Sequence, residues 1–192
     1  YGDSITKGTY IDGKYVATHN WVNMFDQLSG DKIHTLNGGR SGRKTSDMAG
    51  FELTMNRYRT VDHLIIFLGV NDLRVATDAV LNNCVTNVQA LVNAARERYG
   101  ASLKVTLMSS PGLSIGNVSP RFYKLGYNEK EQGMLEKLRP LYQKLASDLS
   151  CSYIDLWGVV STGNYTDGLH PNLDGQKQIA EKVWQQYQRL SK

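Results

Sequence analysis

Short apolar runs alternate along the chain with longer segments in which apolar residues recur at helical spacing. The runs Leu64–Leu68, Leu103–Met108 and Tyr153–Leu156 are short, and the first two are rich in leucine or β-branched residues. Strands that are buried on both faces of a parallel sheet have this pattern. A weaker fourth candidate strand, Ile33–Leu36, ends at Asn37-Gly38-Gly39.

Four segments carry apolar residues three or four positions apart, which predicts amphipathic helices. Their first apolar residues are Trp21, Val80, Leu135 and Ile179. We expect Asp78 to cap the second helix, Gly100 to end it, and Pro140 to kink the third. Strands that alternate with helices predict right-handed crossovers and a doubly wound α/β sheet with helices on both faces.

Composition narrows the class of protein mainly by exclusion. The length of 192 residues predicts one domain over residues 1–192, and a hydrophobic content of 41% excludes a disordered chain. The longest apolar run, Leu64–Leu68, is far shorter than the roughly 20 residues of a membrane span. The net charge of +4 comes from scattered Lys and Arg, without a basic stripe with interleaved aromatic residues. We therefore expect no membrane span and no nucleic-acid partner; the sequence does not indicate the oligomeric state.

The two cysteines, Cys84 and Cys151, are too few for a disulfide framework and form no C-x-x-C motif. We expect both to be small buried hydrophobic residues rather than metal ligands. No signal-peptide pattern opens the chain at Tyr1, which leaves two locations open: a soluble cytoplasmic protein, or a secreted or periplasmic one whose leader was removed.

Four glycine-containing segments follow, or could follow, strand ends. They are Gly2-Asp3-Ser4, residues 37–42, Gly69-Val70-Asn71-Asp72 and Asp167-Gly168-Leu169-His170. Each alone is typical of an ordinary turn. Parallel strands deliver the loops that follow them to one edge of the sheet, so we expect the four segments to meet there. The long segment Ser109–Tyr127 has no clear period, and we place it at the same edge.

These segments contain the groups that acyl transfer needs. Pro171 favours an extended conformation at His170, and Asp167 is close enough to accept the Nδ1 proton, which leaves Nε2 as a base. The alternative is a surface histidine beside a turn aspartate. Ser4 is the candidate nucleophile, since an imidazole is the usual activator of a serine hydroxyl. Three donors are available for an oxyanion: the N–H groups of Ser4 and Gly42 and the side-chain amide of Asn71.

Together the four segments resemble the blocks of the SGNH hydrolase superfamily, also called GDSL esterases, in order and in spacing. The resemblance covers nearly the whole chain. It implies a flavodoxin-like three-layer α/β/α sandwich on a mainly five-stranded parallel sheet, with neither metal nor organic cofactor. It implies that Ser4 is the nucleophile, that Asp167 and His170 are the acid and base, and that Ser4, Gly42 and Asn71 form the oxyanion hole.

Two stretches, Ile5-Thr6-Lys7-Gly8 and Gly42-Arg43-Lys44-Thr45, are similar to the arylesterase and carbohydrate acetylesterase branch of the superfamily. Lys7 departs from that branch, which often has an aromatic residue before the glycine. The superfamily also has a strand before its first block, whereas only Tyr1 precedes Gly2 here. We therefore expect the first strand to be truncated or to lie upstream of residue 1.

The resemblance favours hydrolysis of short acyl esters, above all acetate esters of carbohydrates. An arylesterase, a lysophospholipase and a thioesterase are alternatives within the superfamily. A non-catalytic carbohydrate-binding module is a less favoured alternative, and a metal-dependent phosphoesterase a weaker one. We expect a small-molecule or glycan ester as the partner of the site. Candidate substrate-binding residues are Asp3, Trp21, Arg43, Phe122 and Tyr127.

Overall fold

The computed structural model describes residues 1–8, 10–11, 14–16, 19–30 and 32–190. Its strands are β1 (Tyr10–Ile11), β2 (Lys14–Tyr15), β3 (His63–Phe67), β4 (Lys104–Met108) and β5 (Ser152–Ile154). Its helices are α1 (Ser4–Lys7), α2 (Trp21–Leu28), α3 (Met48–Met55), α4 (Val70–Leu73), α5 (Asp78–Tyr99), α6 (Pro120–Lys124), α7 (Glu129–Asp148) and α8 (Leu173–Leu190). A 3-10 turn, Ile115–Asn117, precedes α6.

The central sheet is parallel, as the apolar runs predict. β4 lies between β3 and β5, with Phe67 opposite Met108. Gly2 extends this sheet through parallel bridges to Phe67 on one side and Gly39 on the other. The order across the sheet is therefore Gly39, Gly2, β3, β4, β5, which is the 2-1-3-4-5 order of flavodoxin-like folds. β1 and β2 form a separate antiparallel pair.

Helices flank this sheet, and their apolar stripes form the core with the strands. α7 lies against β4 and β5, α8 lies against β5, α2 packs on α8, and α5 packs on α7. Fully buried side chains such as Ile66, Leu107 and Ile179 come from strands and helices alike. Burying one such side chain stabilises the fold by about 1.5–3 kcal/mol. The predicted α/β fold class is confirmed.

Three local predictions are wrong. Ile33–Leu36 forms no regular strand; Ile33 N–H donates to Ser29 Oγ (3.1 Å), and only Gly39 further along makes a sheet bridge. Thr77, not Asp78, caps α5, because its side chain accepts the N–H of Val80. Cys84 is fully buried as expected, but Cys151 is only partly buried.

The third predicted helix, α7, runs through Pro140 without interruption. Its tertiary packing outweighs the hydrogen bond that the proline ring removes, since Leu138 and Tyr142 on either side are buried in the core. Within the described residues, no helix has both the length and the apolar character needed to cross a bilayer.

A cavity of about 440 Å³ lies beside the amino half of β3. Its lining includes Trp21, Phe25, Leu36 and Leu64, and it does not include Ser4, Asp167 or His170. Gly2 pairs with Phe67, at the carboxyl end of β3, so Ser4 lies beyond the opposite end of the strand. The cavity is therefore separate from Ser4, Asp167 and His170, although Trp21, a candidate substrate-binding residue, lies in its wall.

Candidate active site

The first glycine-containing segment places Ser4 at the carboxyl edge of the sheet. Immediately after Gly2 the chain turns into α1, and Asp3 caps this turn because its Oδ1 accepts the N–H of Ile5 at 2.9 Å. Ser4 is the first helical residue, and its N–H has no acceptor in the described part of the chain. A serine at this position presents its hydroxyl together with an unpaired backbone donor.

The last segment folds as a tight loop around one carboxylate. Asp167 Oδ1 accepts the backbone N–H groups of Leu169 (3.1 Å) and His170 (2.8 Å), while its Oδ2 lies 2.8 Å from His170 Nδ1. Burial alone would raise the pKa of Asp167, but its hydrogen bonds to His170 and the charge of the imidazole hold that pKa below its usual value. Asp167 is therefore ionised at neutral pH, and its Oδ2 accepts a hydrogen bond from Nδ1–H of His170.

The loop of His170 meets Ser4 at this edge. His170 Nε2 lies 2.9 Å from Ser4 Oγ, across 166 positions of sequence. With Nδ1–H bonded to Asp167, Nε2 is the acceptor for the serine hydroxyl. The side chains of His170 and Asp167 are 30% and 22% exposed, so the site opens to solvent while its acid is largely shielded.

The segment Ser109–Tyr127 supports this loop from outside. Ser114 N–H donates to Gly168 O at 2.9 Å, and Ser119 N–H donates to Asp167 O at 3.0 Å. The ring of Phe122, on α6, meets the imidazole of His170 edge-on, with ring centroids 5.4 Å apart. The aperiodic segment is thus ordered and holds the base in place.

Asn71, on α4, is buried and fully hydrogen-bonded. Its Nδ2 donates to Arg43 O (3.1 Å) and to Asp3 Oδ2 (3.3 Å), and its Oδ1 accepts from Tyr127 (2.8 Å). The amide therefore lies beside Asp3, the residue that precedes Ser4. Tyr127, a predicted substrate-binding residue, contacts this amide and is itself buried.

Gly42 lies at an exposed turn. The turn is closed by a bond from Arg43 N–H to Arg40 O (3.2 Å), and Gly42 has a φ of +73°. Its N–H has no acceptor among the residues that the structure describes. Thr45 N–H and Oγ1–H anchor the far side of the turn by donating to Asp72 on α4.

Two other predicted substrate-binding residues lie inside the protein. Arg43 is 6% exposed; its guanidinium donates to Gly2 O (2.9 Å) and stacks 4.0 Å above the ring of Tyr1. Trp21 is 3% exposed and packs edge-on against Phe67. Both side chains are thus used in internal contacts that support the start of the chain.

Asp3, which contacts Asn71, and Glu131 on α7 are buried acids. Burial raises the pKa of Asp3 to about 7, although the N–H of Ile5 and the charge of His170 lower it. Burial also raises the pKa of Glu131 to about 9, and neither oxygen of this carboxyl has a hydrogen-bond partner in the described chain. Sequence reasoning missed Glu131, because a glutamate in an amphipathic helix is ordinarily on the solvent side.

Sequence reasoning also missed Gln176, a fully buried residue of α8. Its Nε2 donates to Ile5 O (3.0 Å), and its Oε1 accepts Trp21 N–H (2.8 Å). This side chain ties the helix after the base to the turn that carries Ser4. Among the described residues, no cluster of three His, Cys, Asp or Glu side chains is arranged to hold a metal ion.

Several solved structures share the fold of this chain over nearly its whole length. A carbohydrate acetylesterase family member from Sinorhizobium meliloti superposes with a TM-score of 0.80 at 20% identity, covering 99% of this chain and 96% of that one. The inhibitor-bound aryl esterase of M. smegmatis gives 0.79 at 19% identity, covering 99% and 97%. A lipolytic protein of the G-D-S-L family from Veillonella parvula gives 0.75 at 16% identity, covering 98% and 96%.

No curated protein sequence matches the chain. The sequence model of the GDSL-like lipase/acylhydrolase family matches residues 1–178, nearly the full length. The chain therefore belongs to the GDSL-like lipase/acylhydrolase family, within the SGNH hydrolases, and is a carboxylic ester hydrolase.

Proposed function

We propose that this esterase hydrolyses short acyl esters, above all acetate esters of carbohydrates, with Ser4 as nucleophile, His170 as general base and Asp167 as its orienting acid. The observation that carries the proposal is the pair of contacts at His170, 2.9 Å to Ser4 Oγ and 2.8 Å to Asp167 Oδ2. A serine, a base and a group that orients the base, in hydrogen-bonded series, are the requirements for nucleophilic acyl transfer.

The reaction proceeds in two half-cycles. Ser4 Oγ bonds to the ester carbonyl carbon while its proton moves to His170 Nε2, and Asp167 stabilises the imidazolium. The tetrahedral intermediate collapses, its C–O bond to the alcohol breaks, and His170 returns the proton to the departing oxygen. Water then attacks the acyl-serine with His170 again as base, releasing the acid and restoring Ser4.

The oxyanion is stabilised by the N–H groups of Ser4 and Gly42 and by Asn71 Nδ2. The two backbone donors have no acceptor in the described chain, which supports this role. Asn71 Nδ2 contributes by exchanging its longer contact, the one to Asp3 at 3.3 Å, for the oxyanion. Fixed donors of this kind stabilise the transition state more than the substrate.

Two considerations support a short acyl group on a sugar. The ring of Phe122 covers one side of His170 and limits the room beside the base. One structural neighbour is a carbohydrate acetylesterase family member. An aryl ester is the second candidate, because Phe122 would stack on an aromatic alcohol and another neighbour is an aryl esterase.

Covalent labelling tests the nucleophile directly. A fluorophosphonate probe is expected to add its mass to the peptide that carries Ser4, and Ser4→Ala should abolish both labelling and hydrolysis of a chromogenic acetate. Ser147→Ala, which removes an exposed serine from α7, serves as the matched control and should label fully. An unlabelled parent protein would favour a non-catalytic carbohydrate-binding module.

An acyl-chain series tests the substrate class. With chromogenic esters of two to eight carbons, we expect kcat/KM to be highest for acetate and to fall steeply beyond it. Acetate release from a panel of acetylated sugars, compared with phenyl acetate, separates the two candidate alcohols. A maximum at eight carbons would overturn the short-acyl proposal and leave the assignment of Ser4 intact.

A further inference from the structure

Tyr127 reaches the buried amide of Asn71 because the chain passes very close to α4. It follows Gly126, which has a φ of +103°, in the turn between α6 and α7. A side chain at Gly126 would overlap the carbonyl of Arg74, the residue that follows α4. The glycine therefore permits the backbone contact that brings Tyr127 next to Asn71.

The phenol of Tyr127 fixes the acceptor end of this amide. Its hydroxyl lies 2.8 Å from Asn71 Oδ1, and Tyr127 is 5% exposed. Burial raises the pKa of Tyr127 to about 12, so the hydroxyl keeps its proton and remains a donor. With Oδ1 held by this donor, Nδ2 is directed toward Asp3 and the segment that carries Ser4.

Phe122 lies between Tyr127 and His170 and contacts both rings. The rings of Tyr127 and Phe122 meet edge-on with centroids 5.6 Å apart, and Phe122 in turn meets His170. Edge-to-face ring pairs have a preferred geometry and thereby restrict both rings. The Asn71 amide and the His170 imidazole are therefore both held by the packed rings of Tyr127 and Phe122.

From these contacts, and on the basis of the function proposed above, we infer that Tyr127 is a positioning residue for the oxyanion donor Asn71. It does not touch the substrate. It holds the amide so that Nδ2 is presented to the charge that develops on the substrate oxygen.

The test is Tyr127→Phe, which keeps the ring and its contact with Phe122 and removes only the hydroxyl. A neutral hydrogen bond contributes about 0.5–1.5 kcal/mol, so we expect kcat on a chromogenic acetate to fall about 2- to 13-fold with KM nearly unchanged. The inhibition constant of phenylboronic acid, which forms a tetrahedral adduct on an activated serine, should rise by a similar factor. Tyr123→Phe is the matched control, since it removes a hydroxyl that donates to the exposed Glu129.

Combining the variant with Asn71→Ala separates positioning from general packing. In the Asn71→Ala background, Tyr127→Phe should have no further effect on kcat. Unchanged kcat in Tyr127→Phe, or an equal loss in both backgrounds, would overturn the inference. Fluorophosphonate labelling of Ser4 in the parent keeps the two proposals distinct: a labelled parent with a fully active Tyr127→Phe overturns only the role of Tyr127.

Discussion

Ser4 Oγ and His170 Nε2 lie 2.9 Å apart although 166 positions separate them in the chain. The contact depends on the sheet, because Gly2 pairs beside β3 and the loop of His170 follows β5. Both side chains thus reach the same edge, where the carboxyl ends of parallel strands meet.

Asp167→Asn should remove the acceptor that selects the Nδ1–H tautomer of His170. The geometry of the loop would be kept, but Nε2 would no longer be free to accept the proton of Ser4. We expect kcat on a chromogenic acetate to fall by about 10³–10⁴ at neutral pH. Asp174→Asn, an exposed acid at the start of α8, is the control. Activity within tenfold of the parent would exclude the orienting role.

Gly168→Ala should distort the loop between the acid and the base. Gly168 has a φ of +81°, and an added Cβ would overlap the backbone of Val118. A left-handed conformation costs a residue with a Cβ about 1–2 kcal/mol before the overlap is counted. We expect a lower melting temperature together with at least a tenfold loss in kcat. Gly163→Ala, where an added Cβ meets open space, should change neither quantity.

Gln176→Ala should loosen the junction between α8 and the start of the chain. It would leave Ile5 C=O and Trp21 N–H without a partner in a buried site. Each such group costs about 1–3 kcal/mol, so for the two groups we expect a loss of about 2–6 kcal/mol in the free energy of unfolding by denaturant titration. Gln185→Ala, an exposed residue of the same helix, is the reference variant. Equal stability of the two variants would contradict this role.

Glu131→Gln should change how stability depends on pH. The carboxyl of Glu131 has a pKa of about 9 in the folded protein and an ordinary value of 4.5. The folded state therefore binds more protons than the unfolded chain within this window, and stability falls as pH rises through it. The neutral amide removes this contribution, so the variant should be the more stable protein at pH 9. Each unit by which the pKa of Glu131 differs between the folded and unfolded states changes the free energy of unfolding by about 1.4 kcal/mol.

The control for this prediction is Glu136→Gln, an exposed glutamate of the same helix, which should keep the slope of the parent. Asp3 acts in the same direction as Glu131 because its pKa is also raised, to about 7, so the slope should be reduced rather than abolished. Asp167, whose pKa is lowered, loses its contribution only at acid pH. A parent whose stability rises between pH 5 and 9 would contradict the assignment.

The sequence was sufficient to predict the fold class, because β3 is apolar from Leu64 onward, β4 is rich in apolar and β-branched residues, and α2, α5, α7 and α8 have clear helical periods. It was less informative at the edge of the sheet. Ile33–Leu36 has the composition of a strand, but side chains at the end of α2 take up its backbone and hydroxyl donors. Composition does not distinguish extended backbone that pairs from extended backbone that is held by side chains.

The candidate catalytic residues were predicted from their residue types. The buried polar residues that surround them were not. Arg43 stands next to Gly42 and suggests a surface cation, yet its donors are used on Gly2 and Asp47 inside the protein. Glu131 and Gln176 are polar residues in amphipathic helices, and their burial depends on which neighbours the tertiary fold brings near. Such positions become visible only once three-dimensional contacts are known.

The exposed turn at Gly163 divides the chain between the nucleophile and the base. A protein cut there would carry Ser4 on one fragment and His170 on the other. Gln176 would lie at the interface between the two fragments. Hydrolysis of a dye ester would then require that the fragments reassociate. The protein is accordingly a natural candidate for a split reporter, in which colour development measures the joining of two polypeptides.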